Sequence, residues 1–501
     1  MLICSLIIIP FLSSIFSLFF SYFKKNFSRW VALIGMGLTL FITLMMWCIE
    51  DYNFFQIDNF MPYNHEFITD WISRFSIEFN IVVDGLSLLM VILTSFLGII
   101  AILCSWNEIH ENEGFFYFNL MLILTGVIGV FIAGDLFLFF FFWELILVPM
   151  YFLIILWGRK SSTGNKRVIA ANKFFMYTQS SGLLMLAGIL GLVFTYYENH
   201  QILTFNYHLL INTSMPLYKE YIFMLCFFIA FAVKMSIFPF HGWLPDTHSY
   251  LPTCGSIDII GILLKTAPYA LLRYNIILFP HATKYFSAIA MCLGLISIFY
   301  GAFVAFWQTD IKRFIAYSSI SHMGLIIIAI YSNHFIALQG LIIQILSNTI
   351  SSSALCILSG QLYKRFKTQD IRQMGGLWRY IYWIPGFSLF FSLANLGLPG
   401  TGNFIGEFLI LSSIFKISPI ISILSTIGMF FSAIYSLNIM QKIYYGTSKK
   451  EFFLFSISIK ELWISLSLIL IVIFIGLKPQ IFLDTTKYSL MNIKKTFDDS
   501  F

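Results

Sequence analysis

Glu144, Lys234, Lys265 and Glu407 each sit well inside a long apolar stretch of this chain. Their surroundings read DLFLFFFFWELILVPM, FIAFAVKMSIFPFHGWLPD, IIGILLKTAPYALL and LANLGLPGTGNFIGEFLIL. A charge held in hydrocarbon costs free energy, so ionisable residues inside apolar spans face one another or a water-filled interior and mark ion paths. Acids and bases following one another along such spans are the parts of a proton relay. The alternative readings are plain. Glu144 and Glu407 can be protonated structural carboxyls. Lys234, about six residues from the span end at His241, can snorkel to the interface. Lys265, about ten residues from either end of its span, is too deep for that.

Other residues join this set on chemical grounds. His322 lies near the middle of the span reading AYSSISHMG. Imidazole takes a proton on one nitrogen and releases it from the other, and Ser318, Ser319 and Ser321 can support water or simply let helices pack closely. Asp258 lies seven residues before Lys265. On a straight helix that is two turns away on the same face, about 10 Å along the axis, from which Asp258 would tune Lys265 through water. His241 and His248 bracket HGWLPDTH and are auxiliary candidates for the same path. With Asp246 they invite a metal reading, but their spacing fits no common zinc pattern. Gly400, Gly402 and Gly406 resemble a phosphate loop, yet no strand precedes them and no βαβ unit fits around them. A helix break is the better account.

The elements that must position these residues are membrane helices. The 501 residues are 59% hydrophobic and 11% charged, where a soluble chain carries about 25% charged residues. Strand-type alternation is absent, which argues against a β-barrel. The expected fold is all-α and polytopic, with about fourteen transmembrane spans. They fall at roughly 2–23, 30–49, 84–105, 115–133, 136–157, 168–195, 221–240, 255–278, 285–306, 312–331, 335–360, 384–415, 418–442 and 461–478. No basic region precedes the first span and no small-residue cleavage site follows it, so it reads as a retained helix.

Spans 7 and 12 are interrupted, one by Pro239 and Pro245 after Lys234, the other by Pro399-Gly400 before Glu407. Such breaks are tolerated only where the backbone is buried in protein or faces a water-filled cavity. Their separation of five spans suggests two inverted five-helix repeats, spans 4–8 and 9–13. The corresponding domains are 1–114, 115–278, 279–445 and 446–501. The longest polar stretch, roughly 50–83, is too short for a cofactor domain. Loops after odd-numbered spans hold Lys24, Lys25, Arg29, Arg159, Lys160, Lys166, Arg167, Lys312, Arg313, Lys364, Arg365, Lys367, Arg372, Arg379, Lys449, Lys450 and Lys460. The positive-inside rule puts those loops in the cytoplasm or matrix and both termini on the periplasmic or intermembrane side. The net charge of +6 reflects this bias and is no nucleic-acid signal. The seven cysteines are scattered, with no C-x-x-C, so neither a metal nor an iron–sulfur cluster is expected.

The stretches DLFLFFFFWELILVPMYFLI, KFFMYTQSSGLLML, VKMSIFPFHGWLPDTH, GILLKTAPYALLR, QTDIKRFIAYSSISHMG and GLPGTGNFIGEFLIL resemble the antiporter-like proton-translocating subunits of respiratory complex I. The resemblance covers most of residues 115–415. It implies a fourteen-helix fold with inverted five-helix repeats, in which the glutamate of span 5 pairs with the lysine of span 7, and the lysine of span 8 and the charged residue of span 12 continue a hydrophilic axis. Those roles fall on Glu144, Lys234, Lys265 and Glu407. A glutamate in span 12 is the choice of the M-type branch; sister chains and several sodium/proton antiporter relatives carry lysine there. The chain departs from the pattern in places. Asn348 stands where a histidine is expected, and Ser249-Tyr250-Leu251-Pro252 follows His248 where the family has an acid and then Ala-Pro.

The function so implied is proton translocation coupled to electron transfer from NADH to quinone on partner subunits. The cofactors of such a complex (NADH, FMN, iron–sulfur clusters and quinone) would lie on other subunits, with none bound here. Partners would be the other membrane subunits, especially neighbouring antiporter-like chains, and lipid. The membrane would be a bacterial inner membrane, with the mitochondrial inner membrane as the alternative. Abundant Phe, Ile, Lys and Asn suggest an A+T-rich genome. Two further readings stand beside this one: a chain of a multi-subunit sodium/proton antiporter or hydrogenase-type complex, revealed by sodium-dependent flux, and a scaffold indifferent to loss of its internal charges.

Overall fold

A bilayer core offers no water to backbone N–H and C=O groups, so apolar segments of this length satisfy them internally as helix. The computed structural model describes residues 2–23, 25–49, 65–159, 165–446 and 457–498. Among them, twelve helices are long and apolar enough to cross a membrane, and the chain is a multi-pass membrane protein. Lys24, Lys160, Lys449 and Lys450, used above for orientation, lie outside the described residues. The chain forms two compact units. Unit 1 is Met1–Lys234, Ile262–Phe286 and Asp484–Phe501; unit 2 is Met235–Gly261 and Ser287–Leu483.

The first helix of unit 1 turns small polar residues inward as well as apolar ones. Ser13, Ser14 and Ser17 of helix Leu2–Ser21 are buried, while Phe11, Phe16 and Phe19 of the same helix are exposed. Small residues let helices approach in a medium where leucine gains nothing by hiding from lipid. Gly35 accordingly lies directly against Ser13. Asp84 caps helix Gly85–Ser105 by accepting from Ser87 N at 2.9 Å. Its other oxygen takes a 2.5 Å bond from Arg273 Nη1. Burial raises the Asp84 carboxyl, but the Arg273 guanidinium and the Ser87 hydrogen bonds outweigh it and hold the group below its ordinary value. Tyr269 and Tyr274 donate to the carbonyls of Phe131 and Ala133, which fastens this part of the chain to the end of helix Glu113–Ile132.

Unit 1 also holds an antiparallel hairpin that the sequence reading did not contain. Strand β1, His65–Ile72, pairs with β2, Ile77–Val83, around a turn that closes at Ser76 (φ 53°). The alternation Ile77-Glu78-Phe79-Asn80-Ile81 was its signal, lost inside a segment dismissed as merely polar. Nearby, in the short helix Tyr207–Ile211, burial and the positive charge of Arg273 push His208 down to about 4. Unfolded chain takes up that proton near 6.5, so the stability supplied by the neutral ring is present above pH 6.5 and lost as pH falls toward 4. Thermal unfolding of the solubilised complex is expected to show this loss, and His208→Gln should flatten that part of the curve.

In unit 2, Asp310 caps helix Ile311–Tyr331 through Lys312 N and Arg313 N. Helix Phe335–Phe366 packs closely on Gly402–Ile417, with Gly402 against Ser347 and Gly406 against Gln344. The glycines that resembled a phosphate loop thus serve a break and a helix contact.

Both expected breaks are present. One helix ends at Met235 and the next begins at Leu244, with Pro245 in its first turn. Helix Ile384–Asn395 ends before Gly397 (φ +73) and Gly400 (φ +93), and helix Gly402–Ile417 follows. A third interruption falls at Ile146, between helices Leu136–Leu145 and Leu147–Trp157. Pro149 cannot donate to the carbonyl of Leu145, which ends the first ladder there. Around Lys265 the helix contains two π-helical segments, Asp258–Leu263 and Leu271–Asn275. A π-turn takes an extra residue, so the seven-residue, same-face argument for Asp258 and Lys265 does not carry over to this backbone.

Candidate functional site

Unit 1 brings Glu144 and Lys234 together. Each is the charged group that acts electrostatically on the other. Glu144 is one residue before the end of helix Leu136–Leu145, and Lys234 one residue before the end of helix Leu217–Met235. Both therefore stand where a span is interrupted, and where backbone carbonyls are released to bind water or charge. The Lys234 ammonium lies 4.7 Å from the centroid of the Trp143 ring, a cation–π distance. Trp143 is fully buried, so this attraction operates away from solvent. In the sequence Trp143 is one aromatic in a run, and its place beside Glu144 is the one signal it carries. Lys265 lies in the same unit and is 1% exposed.

Unit 2 assembles the second set. Glu407 lies in the second turn of helix Gly402–Ile417. Gln344 Nε2 donates to its Oε1 at 3.2 Å, and His322 Nδ1 stands 3.9 Å from the same oxygen. Tyr435 is within electrostatic reach of the carboxyl. Gln344 was missed because an amide in an apolar span carries no charge to attract notice. Next to this group, Asn403 Nδ2 donates to Ala394 O at 2.8 Å and to Ser351 Oγ at 3.2 Å, while Ser351 Oγ donates to Asn395 Oδ1. Ser347 Oγ, Asn348 Nδ2, Thr349 Oγ1, Ser353 Oγ and Asn403 Oδ1 are buried and have no hydrogen-bond partner among the described residues. Buried polar atoms of this density demand water, which is the chemistry Asn348 needs if a relay passes a side chain that cannot protonate.

The remaining candidates lie in unit 2. His248 Nδ1 faces Lys312 O at 2.8 Å and its Nε2 faces Cys356 Sγ at 3.5 Å. Asp246 is paired with Arg313 at 2.6 Å. His241 lies against the Tyr300 ring, with centroids 4.6 Å apart. Asp258 is buried in unit 2, and neither carboxylate oxygen has a hydrogen-bond partner among the described residues; Lys265 belongs to unit 1.

The sequence and the fold have counterparts in known proteins. The chain is 61% identical over 500 residues to NADH-quinone oxidoreductase subunit M of Buchnera aphidicola subsp. Acyrthosiphon pisum, covering 100% of this chain and 99% of the relative. It is 52% identical over 503 residues to the Escherichia coli K12 protein of the same name, with the same coverage. Its fold matches a chain in respiratory complex I from Thermus thermophilus with bound NADH, at TM-score 0.86, 24% identity, 99% of this chain and 100% of that one. It also matches a chain of the Mrp complex from Dietzia sp. DQ12-45-1b at TM-score 0.82 and 18% identity, over 97% of this chain and 52% of that one. The family model described as NADH:quinone oxidoreductase/Mrp antiporter, transmembrane region, matches residues 133–434, a segment that holds the Glu144–Lys234 pair, Lys265, and the His322–Glu407–Gln344 group alike: the chain belongs to that family.

Proposed function

We propose that this chain is the antiporter-like, proton-translocating membrane subunit of an NADH–quinone oxidoreductase. The observation that supports it best is the Glu144–Lys234 pair set at helix interruptions, a half-buried carboxyl beside a buried ammonium held over Trp143. An acid and a base that stabilise each other's charged forms make a switch. When the carboxylate withdraws, the lysine holds its proton less tightly and can release it to Lys265. Release continues through the hydrated group of His322, Gln344 and Glu407, with Asp258, His241 and His248 as auxiliary members. Electron transfer occurs on partner subunits, which carry NADH, FMN, iron–sulfur clusters and quinone. Neighbouring antiporter-like subunits and lipid surround the chain. The basic loops face the cytoplasm of a bacterium, the termini face the periplasm, and the two inverted five-helix repeats begin at residues 115 and 279.

Sealed vesicles containing the complex test this. NADH should drive proton uptake equally well in sodium and potassium media. Glu407→Gln should lower uptake by at least about tenfold, a barrier increase of about 1.4 kcal/mol, with the complex still assembled. Uptake that follows a sodium gradient without NADH would favour the sodium/proton antiporter reading. Undiminished uptake in Glu407→Gln would favour the scaffold.

A further inference from the structure

Two glycines stand where a side chain would collide with the two glutamates. A Cβ built on Gly182 would overlap Glu144 Oε1 and lie 3.0 Å from its Cδ. A Cβ on Gly397 would lie 2.6 Å from Glu407 Oε2. Gly397 has φ +73 and needs glycine for its backbone alone. Gly182 does not. It is buried in the interior of helix Lys166–His200, outside the left-handed region, where glycine weakens a helix relative to alanine. Nothing in the backbone explains its presence; the neighbouring carboxyl does. Glu144 Oε1 is buried and has no hydrogen-bond partner among the described residues, so the face of Gly182 is what this oxygen rests on.

We propose that Gly182 is a positioning residue for Glu144: its missing side chain leaves a slot that seats the carboxyl within reach of the Lys234 charge. The proposal rests on the reading of Glu144 and Lys234 as a proton switch. A filled slot forces the carboxyl to another rotamer, and displacement by an ångström is enough to cost a proton transfer about a hundredfold.

The test is a double-mutant cycle in the full complex, reading NADH-driven proton uptake in sealed vesicles. A merely structural Gly182 makes Gly182→Ala harmless, since alanine favours the helix. The slot makes it lower uptake by at least about tenfold. Glu144→Asp shortens the side chain by one C–C bond, about 1.5 Å, so Gly182→Ala with Glu144→Asp should pump as well as Glu144→Asp alone. Native uptake in Gly182→Ala, or a double variant as poor as the two singles multiplied, overturns the proposal. If Gly182→Ala does not assemble, recovery of assembly by Glu144→Asp supports the slot and its absence overturns it. Glu144→Gln separates the two levels: native uptake there removes the switch reading itself, whereas lost uptake there with native uptake in Gly182→Ala removes only the slot.

Discussion

Lys234→Ala is expected to abolish both proton uptake and NADH–quinone turnover in an assembled complex, each by at least about tenfold. The ammonium is buried, interacts with Glu144 and sits over Trp143. Alanine removes the proton carrier and leaves Glu144 without the opposite charge that stabilises it. In a tightly coupled pump a blocked proton path stalls the electron path. Joint measurement in sealed vesicles decides the matter. Loss of uptake with unimpaired turnover identifies a slipping pump; native values for both remove Lys234 from the path.

Arg273→Ala is expected to prevent stable assembly. The Arg273–Asp84 pair is buried, and removing one partner of such a pair typically costs about 3–5 kcal/mol because the other charge is left uncompensated. Asp84 also caps helix Gly85–Ser105, so the loss reaches a second element. Replacing both, as Asp84→Asn with Arg273→Met, should be milder than Arg273→Ala alone, since no orphaned charge remains. Native gels and melting of the solubilised complex report the order; equal damage in both variants would place the cost in lost packing instead of charge.

The membrane helices and the two expected breaks were legible because lipid imposes a strong rule on composition and because Pro239, Pro245 and Pro399 announce themselves. Glu144, Lys234, Lys265 and Glu407 stood out for the same reason: charge is conspicuous among phenylalanines. What escaped was whatever works through shape or neutral polarity. Gln344, Trp143 and Gly182 carry no charge and look like ordinary residues of an apolar span, and their roles exist only when another helix lies beside them. The π-helical segments around Lys265 were invisible because periodicity arguments assume an unbroken 3.6-residue repeat. The hairpin at 65–83 was overlooked because a search for membrane spans discards whatever is polar.

The interruption before Glu407 has one mechanical consequence. Asn403, from the helix after it, grips the Ala394 carbonyl before it and, through Ser351, the helix alongside. A stretch of loose backbone would be a hinge, free to flex and to let Glu407 wander. Fastened both to the half-helix before it and to the helix alongside, this one is a splinted elbow: the bonds resist separate motion of the two half-helices and help hold the Glu407 carboxyl beside His322 and Gln344.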